Sequence, residues 1–126
     1  MEYRRSTMRL LLIALTVLVL GLIAPVPARA QAMDDCLHEA TIQSLRACVH
    51  HAAEHGHIDN QGITRSLLAK LDAAQAAVDR GQPEVAVNLL EAFAREVRAQ
   101  SGKHILQEHA EHLLIHAQAV IQALGG

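Results

Sequence analysis

The chain has 126 residues, and the first 30 or so have the pattern of an export leader, which leaves about 96 for one small domain. From Gln31 onward there are 7 Lys and Arg, 12 Asp and Glu and all 9 His, a net charge of −5 with neutral imidazoles. One aromatic residue (Phe93), few β-branched residues and no basic cluster exclude a β-sandwich or barrel and a nucleic-acid binder, and the length excludes a Rossmann or TIM-barrel enzyme.

The leader comes first in chain order. Arg4, Arg5 and Arg9 form a positive start, and Leu10 to Ala24 is an apolar run broken by Thr16 and Gly21. Pro25 and Pro27 stop a helix, and Ala28-Arg29-Ala30 has the small-x-small pattern that signal peptidase requires. Cleavage is expected before Gln31, with a site after Ala32 as the alternative. An uncleaved anchor would need about 20 apolar residues, more than this run supplies. Met33-Asp34-Asp35 before Cys36 is no lipobox. The expectation is an exported chain, periplasmic or secreted, with no membrane span after cleavage. Its divisions are 1–30 signal peptide, 31–40 N-terminal segment and 41–126 helical domain.

An oxidising compartment suggests that Cys36 and Cys48 form one disulfide. A continuous helix would separate them by about 18 Å, whereas a bridge needs Cα atoms about 5.5 Å apart. Both conditions are met if the chain breaks near Ala40–Thr41 and the N-terminal segment folds back onto the first helix. Two thiols, one of them in the core, are the alternative. The spacing is not that of a redox-active C-x-x-C pair.

Four segments then repeat with a 3.6-residue period. The first runs from about Thr41 to His55, with Ile42, Leu45, Val49 and Ala52 apolar, and ends at Gly56. Gly56 to Gly62 has two glycines and an Asp-Asn pair, a turn signature. The second helix runs from about Ile63 to Arg80, with Ile63, Leu67, Leu68, Leu71, Ala74 and Val78 on one face, and stops at Gly81. Pro83 opens the third, where proline is tolerated. Val85, Ala86, Leu89, Leu90, Phe93 and Val97 form its inward face, and Ser101-Gly102 ends it. The last spans about Gln107 to Leu124, with Ala110, Leu113, Leu114, Ala117, Val120, Ile121 and Leu124 inward. Short connectors make neighbouring helices antiparallel, so the expected fold is all-α, a small bundle of about four helices.

Asn60-x-Gly62-Ile63, Ser66-Leu67, Lys70-Leu71, Ala92-Phe93 and above all Gln100-Ser101-Gly102-Lys103-x-Ile105 resemble the FIMAH module. This is a small helical unit of secreted and surface bacterial proteins, often an appendage to larger hydrolases or adhesin-like chains. The resemblance covers about 75 to 80 residues, beginning in the first helix. It implies a non-catalytic accessory or interaction module, with an unnamed protein or a cell-envelope component as partner and no catalytic residues to carry over. Leu106 stands where such modules place a capping Ser or Thr, and the leader here is followed by the module alone.

Histidine is several-fold enriched. His109, His112 and His116 have i, i+3, i+7 spacing on the rim of the last helix's core face, and Cys48, His51 and His55 repeat it in the first. Imidazoles one turn apart can ligate one Zn²⁺, Cu²⁺ or Ni²⁺ ion. A periplasmic metal-binding protein using His109, His112 and His116, with His51 and His55 as weaker candidates, is therefore the alternative function. Against it, the histidines also read as polar rim residues. Glu108 and Glu111 make no evident supporting shell, and His109-Ala110-Glu111-His112 is not the H-E-x-x-H of zinc proteases. Full protonation of the histidines would take the exported part from −5 to +4.

Asn60, Ser66 and Lys70 read better as turn, cap and rim residues than as a binding patch. Neither Ser66 nor Ser101 has a nucleophile-elbow motif around it, and no pair of carboxylates occupies core-facing positions. The chain is expected not to be an enzyme and to need no cofactor.

Overall fold

In the computed structural model, residues 39–126 are described. The leader and Cys36 lie outside them. Four helices follow in order: α1 Ile42–Glu54, α2 Gln61–Asp79, α3 Pro83–Gln100 and α4 Gln107–Ala123. The all-α reading holds, and the described residues contain no strand, only isolated bridges.

Local chemistry sets each boundary. Thr41 is extended (φ −125°, ψ 152°), and its hydroxyl accepts from the Ser44 amide at 3.1 Å, which starts α1 at the expected break. Asn60 caps α2 by accepting from the Gly62 and Ile63 amides at 2.9 and 3.1 Å. That cap starts α2 at Gln61, two residues before the position expected from its apolar face. Gly56 and Gly81 end α1 and α2 with φ of 73° and 71°. The residue after each glycine donates back five positions, His57 to Ala52 at 2.8 Å and Gln82 to Ala77 at 2.9 Å. Pro83 begins α3, while α4 follows Leu106, which supplies no side-chain cap.

The helices form a closed square. α1 packs on α2 and α4, and α3 packs on α2 and α4. Phe93, Leu45, Leu67, Leu71, Leu90, Val49, Val97 and Val120 fill the middle and are fully buried. Removing each such large side chain from water contributes about 1.5–3 kcal/mol.

The inward faces agree with the periodicity, with three departures. Val85 is 43% exposed, because it lies in the first turn of α3, at the margin of the bundle. Ala77 and Ala94 are buried although neither was expected inward, since small side chains let the helices approach closely. Ile58 and Ile105 also join the core from the two connectors, where no helical period marks them.

Those two isoleucines form an antiparallel bridge, flanked by Asp59 donating to the His104 carbonyl at 3.0 Å and Leu106 donating to the His57 carbonyl at 2.8 Å. The bridge ties the α1–α2 connector to the α3–α4 connector and closes one end of the bundle.

Candidate functional site

The closed end gathers the histidines. His51 and His55 stand one turn apart at the end of α1, with ring centroids 4.0 Å apart and planes tilted by 31°. His55 Nδ1–H donates to the His51 carbonyl at 2.9 Å, which fixes its ring. Gly56 then reverses the chain and delivers His57, whose ring is nearly parallel to that of His55 at 6.2 Å. On its other side His57 stacks on His109 of α4, at 3.7 Å and 18°. His112 meets His109 edge-on at 6.5 Å. Five imidazoles thus form a continuous row across α1, the connector and α4.

His109 is the pivot of this row. Its Nδ1 is buried and has no hydrogen-bond partner. Burial first, then the neighbouring His57 imidazole, push its pKa below the usual 6.5; Glu108 pulls the other way, and His112 and His51 add to the lowering. The neutral ring is the favoured form.

The three α4 histidines expected to share a face do not act as one unit. His116 is not on the rim but buried, 3% exposed. Its Nε2–H donates to the Glu39 carbonyl at 2.8 Å, and its Nδ1 lies 3.6 Å from Cys48 Sγ on α1. Both ring nitrogens are therefore engaged, with partners other than His109 and His112. Those two join His51, His55 and His57 instead, with rings packed against one another rather than aimed at a common point. Among the described residues no group of three or more His, Cys, Asp or Glu side chains is placed to hold a metal ion. Cys48 itself is buried against α4, while its expected disulfide partner Cys36 is outside the described residues.

His57 was not legible as a member of the row. Its sequence signal is the Gly56-His57 step, since a glycine-terminated helix throws the next residue back over its last turn. Nothing local announces the contact with His109.

A family model described as the FIMAH domain matches residues 42–122. The chain belongs to the FIMAH domain family. The match begins at the first residue of α1 and ends in the last turn of α4, so it takes in every described helix. No curated protein and no solved structure matches the chain significantly. Within this FIMAH domain the uncapped Leu106 agrees with the departure noted in the sequence.

The polar residues Asn60, Ser66 and Lys70 do structural work. Asn60 caps α2. Lys70 Nζ bonds Glu96 on α3 at 2.6 Å, and donates to Ser66 Oγ at 2.9 Å. Ser66 in turn donates to the same Glu96 oxygen at 2.9 Å. This half-buried triangle staples α2 to α3. Glu96 was missed in the sequence because its partners lie on another helix.

Proposed function

We propose that this chain is an exported, non-catalytic FIMAH module that works by binding a protein or another component of the cell envelope. The single observation that carries the reading is the family match across all four helices, in a chain whose first 30 residues have the charge, apolar run and small-x-small ending of a leader. The side chains best suited to chemistry support it. Ser66, Lys70 and Glu96 hold one another, His116 holds Glu39, and Asn60 caps a helix. No described helix is long and apolar enough to cross a membrane, which fits a partner met at the surface of the module.

The test is to express the full chain, fractionate the cells, sequence the recovered N-terminus and photo-crosslink from position 115. Ile115 is the most exposed large apolar side chain of those described, at 63%. Recovery outside the cytoplasm from Gln31 or Met33, with one discrete crosslinked envelope component confirmed by reciprocal purification, supports the reading. Retention in the cytoplasm with the leader intact contradicts it.

A further inference from the structure

We propose that the row His51, His55, His57, His109 and His112 is an acid-sensitive latch with His109 as its trigger: the neutral His109 ring, stacked on His57, holds the α1–α2 connector on the start of α4, and its protonation in mild acid loosens that end of the bundle. The geometry supplies the mechanism. Neutral imidazoles attract through their faces in the stacked His57–His109 pair at 3.7 Å, both partly buried, and pack at 4.0 Å in the tilted His51–His55 pair. Cationic rings at those separations repel. An imidazolium carries N–H on both nitrogens, so a charged His109 would place a donor at its buried Nδ1, where it has no acceptor.

The groups facing His109 come from three elements. α1 contributes His51 and His55, the connector contributes His57, and α4 contributes His112 and Glu108. Glu108 favours the cation, but burial and the imidazoles outweigh it. Asp59 and His104, beside the row, are bonded to each other at 2.8 Å, so that carboxylate is already engaged. Glu54 and Glu111 are exposed to solvent.

The sign follows from linkage. His109 binds its proton less readily folded than unfolded, so its contribution to stability is full above about pH 6.5, its unfolded value. It is lost as the pH falls through the lowered folded value. The Ile58–Ile105 bridge lies at this same end, so the hydrogen bonds that flank it report the loosening.

Amide hydrogen exchange tests this on the chain recovered from an exporting host, with EDTA present, at pH 7.5 and 5.0 after correction for intrinsic rates. The amides of His57, Asp59 and Leu106, all hydrogen-bonded here, should lose about tenfold in protection relative to those of α2 and α3. The double variant His57→Gln/His109→Gln should show no such selective loss. Equal loss throughout the bundle, no loss at the connector, or the same loss in the double variant overturns the proposal. If the double variant fails to fold, the imidazole titration of His109 in the unaltered chain decides: a midpoint at or above 6.5 overturns the latch, and one below it supports the latch.

Discussion

The imidazoles of His57 and His109 stack at 3.7 Å with their planes 18° apart, joining a connector to a helix that begins fifty residues later in the chain. This contact determines how the closed end of the bundle responds to its surroundings. Around it stand His51 and His55 from α1 and His112 and Glu108 from α4, and the Ile58–Ile105 bridge ties the two connectors at the same end. Its consequences for stability differ from those of the core, and the two are separable by mutation.

Thermal stability should fall between pH 7.5 and 5.0. The direction follows from the lowered pKa of His109, whose stabilising contribution is complete above about 6.5 and declines with acid. Melting followed by circular dichroism across this range should show a smaller decline for His109→Gln than for the unaltered chain. An equal decline would place the titration elsewhere.

The staple between α2 and α3 should behave as an ion pair that is costly to break on one side. Glu96→Ala leaves the Lys70 ammonium half-buried without its carboxylate and should cost about 1–3 kcal/mol in urea unfolding. The double change Lys70→Met/Glu96→Leu should recover most of that loss, because no charge is then left without its partner.

Ile105→Ala should cost about 2–4 kcal/mol, as for a buried aliphatic side chain, although the residue lies in a connector. Val85→Ala, on the margin of α3, should cost less than about 0.5 kcal/mol. Equilibrium unfolding of the two variants checks the ranking, which is the reverse of what helical periodicity would assign.

Leu106→Ser should stabilise the domain by about 0.5–1 kcal/mol. Leu106 precedes α4 with extended dihedrals (φ −55°, ψ 130°) and is 52% exposed, so a hydroxyl there can accept a first-turn amide at little cost in burial. Asn60→Ala should do the opposite to α2, by about 1 kcal/mol. Thermal midpoints of the two variants should move in opposite directions.

These contrasts show where the sequence could be read and where it could not. Helix positions were legible because a 3.6-residue apolar period and strong stops, Gly56, Gly81 and Pro83, are local signals. The helix start at Thr41 agrees with the expected break, while the Cys36–Cys48 bridge that suggested it involves a residue outside the described ones. Spacing placed His109, His112 and His116 on one side of α4 but could not say what each would meet. His116 turns inward because Cys48 and the Glu39 carbonyl wait on its side, while His109 meets His57. Ile58 and Ile105 were invisible for a related reason. Each lies in a short turn-rich segment with no helical period to mark its inward side, and their burial depends on two connectors meeting. Glu96 likewise becomes meaningful only when α3 lies beside Lys70.

The most direct measurement is a set of nuclear Overhauser contacts among the histidine ring protons at pH 7.5. The account predicts contacts between His57 and His109 and between His51 and His55, with His116 instead close to Cys48. Contacts linking His116 to His112 and His109, with none between His57 and His109, would contradict it and restore a three-histidine face on α4.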